Sequence, residues 1–287
     1  MESKAESAAQ SGVEKRSGGA LPTAVVIGAQ KCGTSALWYY LRHHPGASVS
    51  TPKELDFFIT SRNWKQGVDW YKGHFDAAKP VRVDASPNYT AHPVHQGVME
   101  RMAKVLPEAK LVYLVRDPID RIAAQWIHNY AVGRHTGDLA VMFNKARSTY
   151  VPRSCYAMQI EVALAHFPSD RLMVIDQDDL RNDRAATLRR IFAHLDLDPD
   201  VTHEAFNTQR NKTARKRILT PLGRKVQDVL PPPVWRRVRN LPKLQMAIPM
   251  PDVRAAMPAA TLQLLRDDAK RFGELTGMDT SHWSVWK

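Results

Sequence analysis

The chain has 287 residues, 44% of them hydrophobic and 24% charged, a composition that suits one large globular domain or two small ones. Its formal charge of +12 asks for an acidic partner, whether nucleic acid, an anionic membrane or a polyanionic small molecule. Two cysteines, Cys32 and Cys155, argue against a disulfide scaffold and a cysteine-rich metal site, and no run approaches the ~18 apolar residues of a membrane span.

Residues 1–20 are small and polar with no apolar core, so a disordered tail is expected there rather than a signal peptide, and with it a cytoplasmic address. No linker interrupts residues 21–287, which read as one domain. Ala24–Ile27 is a short apolar run ending at Gly28, a buried strand. Good helix formers follow from Thr34 to His44, and Pro45-Gly46 stops them. Val81–Asp84 reads as a second strand, Val94–Leu106 as a helix, and Lys110–Val115 as the clearest strand. Pro118 sits where a helix can begin, and Ile119–Tyr130 continues it. A helix over Tyr156–Phe167, a strand over Arg171–Ile175, and helices over Arg184–Leu195 and Ala259–Leu275 complete the order. Between Asp196 and the last helix the strand signal fades and Pro231-Pro232-Pro233 breaks the chain. Alternating strands and helices imply an α/β fold of three layers: a central, mostly parallel sheet flanked by helices, of the P-loop-like nucleotide-binding kind.

Gly28-Ala-Gln-Lys31-Cys-Gly33-Thr34-Ser35 lies between the first strand and the first helix, where backbone N–H groups and the helix dipole hold an anion. Its glycines have the G-x4-G spacing of a Walker A loop, but Thr34 stands where that loop has lysine, and the lysine lies inside the turn at Lys31. After the Lys110–Val115 strand comes Arg116, which suits phosphate better than a metal ion. Between Asn207 and Lys243 there are eleven Lys or Arg and one acid, Asp228. A solvated face is the plain reading of that run and a phosphate-rich nucleotide the sharper one. Within it, Val234–Arg239 is read as a solvated helix face in preference to a membrane-surface stretch.

These segments resemble the PAPS-dependent sulfotransferases, above all the heparan-sulfate-type and bacterial carbohydrate branch. Gly28–Ser35 with Leu41–Pro45 matches that family's first signature, and Leu114-Val-Arg116-Asp-Pro118 its second. Pro52-Lys53-Glu54 with Phe57-Phe58, Asp84-Ala-Ser86-Pro-Asn-Tyr89, Ser154-Cys-Tyr156 and Thr280–Trp283 match lesser segments in the family's order. The resemblance implies that Gln30, Lys31, Cys32, Gly33, Thr34 and Ser35 hold the 5′-phosphosulfate of the co-substrate PAPS. Arg116 and Tyr156 would take the 3′-phosphate, and Lys212, Arg215, Lys216 and Arg217 would lie in a loop over the nucleotide. The family's helix serine falls on Ala124, with Gln125 as a substitute. Lys31 would stabilise the leaving phosphate and Glu54 would take the acceptor's proton, with no metal. The acceptor would be a small molecule, carbohydrate or lipid, and no nucleic-acid partner is expected. Trp38, Trp70, Tyr71 and Phe57 read as packing, and the histidines as structural. A kinase or NTPase using ATP–Mg²⁺ and a basic binding protein without catalysis are the competing readings.

Overall fold

The computed structural model describes residues 19–134, 139–143, 148–208, 217–248 and 250–287. The expected tail lies outside them apart from Gly19 and Ala20, as do Lys212, Arg215 and Lys216. In chain order the elements are β1 (Ala24–Gly28), α1 (Thr34–Arg42), β2 (Ala47–Val49), α2 (Gly67–Lys72), β3 (Val81–Ala85), α3 (Val98–Val105), β4 (Lys110–Val115), α4 (Pro118–Ala131), α5 (Leu139–Phe143) and α6 (Tyr156–Leu164). There follow β5 (Leu172–Asp176), α7 (Gln177–Asn182), α8 (Arg184–His194), β6 (Arg217–Leu219), α9 (Pro221–Val229), α10 (Pro232–Val238), β7 (Gln245–Ala247), α11 (Val253–Ala256) and α12 (Ala259–Thr276).

Five parallel strands form the central sheet in the order β2-β3-β1-β4-β5, flanked by helices. Ala24 pairs with Val83 on one side and Lys110 on the other, so β1 is an inner strand. Every residue of β1 is buried, and so are Leu111–Val115 of β4. That is why both read as unbroken apolar runs rather than alternating ones. Each such Val, Leu or Ile side chain taken from water contributes roughly 1.5–3 kcal/mol.

The chain leaves β1 to build β2 and β3 on one side, then crosses to β4 and β5 on the other. The order therefore reverses between β1 and β4, and the crevice beyond the carboxyl ends of these two strands is where such sheets bind ligands.

The structure differs from expectation in several places, among them the helices α2, α5, α7, α9 and α11, which were not expected. The helix expected from Val94 begins at Val98, because a left-handed Gly97 (φ 66°) lies between. Edge strand β2 is three residues long, too short to show a period. In the stretch where the strand signal fades, β6 and β7 pair antiparallel as a separate two-stranded sheet. The aromatic packing stands as expected: Phe57 and Tyr71 are fully buried and stack with centroids 4.2 Å apart. Among the histidines, His44 bonds Asp198 O and His194 bonds Leu111 O, both structural contacts. No helix among the described residues is long and apolar enough to cross a membrane.

Candidate active site

The turn after β1 is pinned from both sides. Ala29 N–H donates to Leu114 O of β4 at 2.7 Å, and Cys32 N–H closes the turn onto Ala29 O at 3.1 Å. Gly28 lies so close to the loop after β3 that a Cβ there would meet Thr90 Oγ1 at 1.8 Å. Gly33 ends the turn at φ 95° as the N-cap of α1, with no side chain capping that helix. First-turn N–H groups of a helix have no partner within it, so an uncapped start opening on a crevice is suited to an anion. Lys31 is itself left-handed (φ 74°), a conformation that costs a non-glycine residue energy.

Cys32 and Tyr156 occupy positions unlike those of the other expected ligands. Both side chains are fully buried, and the thiol sits 3.6 Å from the Tyr156 hydroxyl. Burial pushes the Cys32 thiol up to about 11, so it is a neutral anchor under the loop. Thr34 is buried, while Gln30, Gly33 and Ser35 are half-buried.

Arg116 follows β4 directly and pairs with Asp120 at 2.7 Å, its side chain 19% exposed. Asp117 caps α4, accepting from Ile119 N–H (2.8 Å) and Asp120 N–H (3.1 Å). One turn on lies a residue to which sequence reasoning gave no role. Arg121 is completely buried and donates to Ser154 Oγ (2.5 Å), Gln125 Oε1 (2.8 Å), Tyr150 O (2.5 Å) and Gln30 O (3.5 Å). All four acceptors are neutral, so its charge is left to act on the turn it holds through Gln30. Gln125, the expected substitute for the missing serine, spends its amide on Arg121 and on Thr149 Oγ1 (2.9 Å). Arg121 and Arg116 thus both bring positive charge to bear on Cys32, just before the start of α1.

Glu54 sits on the loop after β2 with φ 65°, 42% exposed and paired with Lys53 at 2.6 Å. A buried carboxylate, Asp84, holds that loop in place. It accepts from Ser86 Oγ (2.7 Å), Tyr89 OH (2.7 Å) and Tyr71 OH (2.9 Å). Ser86 Oγ in turn receives Asp56 N–H at 3.0 Å, and Tyr89 OH receives Phe57 N–H at 2.9 Å. The Asp84–Tyr89 motif and the Pro52–Phe58 motif are therefore two halves of one scaffold. Arg153, buried with an unpartnered Nε, is depressed to about 10 by burial and then by the Arg121 charge.

Of the expected basic loop, Arg217 alone is described; it is exposed and pairs with Ala247 in the small sheet. At the far edge of the crevice Asp176, Asp178 and His282 bring ligand-type atoms within 4.8 Å of one another. The Asp176 carboxylate is already engaged there: it caps α7 through Asp178 N–H (2.8 Å) and receives Trp283 Nε1–H (3.1 Å). That trio is a fastening for the segment 280–287.

An open parallel sheet with a G-x4-G turn at its switch point, an uncapped helix start and an arginine at the end of the next strand defines a class, the P-loop-like nucleotide-binding α/β proteins. Residues 70–201 match the model of the sulfotransferase family. The chain is 29% identical over 205 residues to the bifunctional heparan sulfate N-deacetylase/N-sulfotransferase 4 of Mus musculus, covering 64% of this chain and 23% of that protein. It is 27% identical over 211 residues to the human heparan sulfate glucosamine 3-O-sulfotransferase 5, covering 67% of this chain and 58% of that one. The chain thus spans about a quarter of the length of the first of these relatives and little more than half of the second. Its fold is that of a sulfotransferase from Alicyclobacillus acidocaldarius, with a TM-score of 0.67, 21% identity, and coverage of 92% of this chain and 99% of that one.

Proposed function

We propose that the chain transfers a sulfuryl group from PAPS to a hydroxyl or amine of an acceptor, with a carbohydrate or glycolipid as the acceptor class. The observation that carries this reading is the turn Gly28–Ser35: a lysine held inside it, an uncapped α1 behind it, and Arg116 across the β1/β4 crevice. The neutral partners of Arg121 and the open helix start fit a polyphosphorylated anion. Two relatives whose names state sulfotransfer to heparan sulfate support the acceptor class.

In this reading Gln30, Lys31, Gly33, Thr34 and Ser35 bind the phosphosulfate end and Arg116 the 3′-phosphate. Cys32 and Tyr156 brace the turn from beneath. The reaction breaks one sulfur–oxygen bond to phosphate and forms one from sulfur to the acceptor's oxygen or nitrogen. Lys31 meets the charge that develops on the departing phosphate oxygen, an interaction worth about 3 kcal/mol in such sites. Glu54 receives the acceptor's proton late in the transfer.

Calorimetry with PAP, the desulfated product, tests the reading against the ATP–Mg²⁺ alternative. PAP binding in a chelating buffer is expected, weakened at least ~10-fold in Arg116→Ala through loss of a charge-assisted phosphate contact. Preferential binding of ATP–Mg²⁺, or PAP affinity indifferent to Arg116→Ala, would overturn it.

A further inference from the structure

Half of the large apolar side chains that stand exposed among the described residues fall in one short stretch: Leu222, Val229, Val234, Leu241, Met246 and Met250. Val229 is 81% exposed and Met250 65%. The stretch comprises β6, α9, α10 and β7, and only Gly223 and Leu244 are buried among its described residues 217–250. It is held together locally, Thr220 Oγ1 donating to Lys243 O at 2.9 Å and Thr220 N–H to Leu244 O at 3.0 Å.

The spacing of its apolar residues is helical. Leu222, Val226 and Val229 share one face of α9, and Val234, Val238 and Leu241 repeat the same interval along α10 and just past it. An amphipathic helix ordinarily turns such a stripe inward. Here Leu222, Val229, Val234 and Leu241 face solvent. Around them stand Arg217, Arg224, Lys225, Arg236, Arg237, Arg239 and Lys243 against one acid, Asp228. Trp235, half-buried on α10, supplies an aromatic ring of the kind that settles at the headgroup level of a bilayer.

We propose that residues 217–250 form a peripheral docking surface for an anionic lipid bilayer, the valine, leucine and methionine side chains entering the headgroup boundary and the basic residues meeting lipid phosphates. Charge complementarity selects this occupant. A second copy of the chain would bring the same seven cations against one another, whereas an anionic bilayer neutralises them and also accepts the apolar stripe. The surface needs no transmembrane helix and stands apart from the sulfuryl-transfer reading.

Vesicle co-sedimentation of the full chain tests it. Binding is expected to vesicles of phosphatidylcholine containing about 30% phosphatidylserine, and at least ~10-fold weaker binding to phosphatidylcholine alone. Leu222→Asp combined with Val229→Asp, both on exposed positions, should lower binding about 10-fold or more. Arg237→Gln with Arg239→Gln should lower it similarly and flatten its salt dependence. Circular dichroism and urea unfolding of the same variants report their folding, and curves matching the parent's are expected. Vesicle binding unaffected by either pair would overturn the proposal. So would failure of the parent chain to bind anionic vesicles, whether or not these same residues support duplex DNA binding or self-association.

Discussion

Glu54 and Asp56 lie two positions apart on one loop and face opposite electrostatic conditions. Glu54 is paired with Lys53 and 42% exposed, within reach of an incoming substrate. Glu54→Gln should leave PAP affinity unchanged and lower turnover about 100-fold or more, read by calorimetry and initial rates; full turnover would remove Glu54 as the base. Asp56 is buried, its carboxylate receiving Asn88 Nδ2–H at 3.0 Å with Arg62 at 3.7 Å. Burial pushes it up to about 6 despite these partners. A carboxyl raised above its unfolded value binds its proton more tightly when folded. Its contribution is therefore full below about pH 4 and is lost as pH rises through about 6. Asp56→Asn should remove about 1 kcal/mol of the stability difference between pH 5 and pH 7, measured by urea unfolding at both. Asp268, also raised to about 6, adds a slope of the same sign in parent and variant alike, so the comparison isolates Asp56.

The Glu54 loop and the turn after β1, to which the proposal assigns the base and the phosphate site, belong to different elements, and distinct devices hold them. Asp84, at the end of β3, gathers three hydroxyls and through them fixes the backbone of the Glu54 loop. In Asp84→Asn an amide donor would face those hydroxyls, at a cost of about 1–3 kcal/mol. The expected result is a lowered kcat with PAP affinity nearly unchanged, because the turn after β1 has its own anchors in Leu114 O, Cys32 and Arg121. An equal loss of PAP affinity would show the two devices to be one. Much of this arrangement was legible beforehand. The β1–turn–α1 and β4–Arg116–α4 units announce themselves through continuous apolar runs and the glycines and proline that punctuate them. The contacts between units were not legible. Cys32 and Tyr156 meet across 124 positions, and Arg121 looks like any helix-surface arginine until Ser154 and Tyr150 close over it. Three-residue strands such as β2, β6 and β7 contain too few side chains to display alternation.

Across the whole molecule, the segment 280–287 ties the site-bearing ends of the sheet together. Trp283 is fully buried, bonded to Asp176 at the end of β5, and its ring lies 5.7 Å from Tyr156 and 5.8 Å from Phe272. Ser284 N–H donates to Asp117 Oδ2, on the residue after Arg116. Arg254 and Arg266 hold Ser284 O and Val285 O, each at 2.6 Å. Trp283→Ala should cost about 3–5 kcal/mol in chemical denaturation. It should also weaken PAP binding, since Trp283 packs on Tyr156 and Tyr156 on Cys32. Loss of stability with PAP affinity intact at low temperature would confine Trp283 to packing.

That fastening sets an order on biosynthesis. The turn after β1 leaves the ribosome before its fastening: Asp117 waits 167 residues, and Asp176 107 residues, for the groups that complete their hydrogen bonding. Until then each carboxylate has only its own helix start to serve, and the ends of β4 and β5 remain unjoined by the Trp283 side chain. A nascent chain that stops short of residue 280 is thus a sheet with an unfinished mouth, in which the turn after β1 precedes the fastening that completes its surroundings.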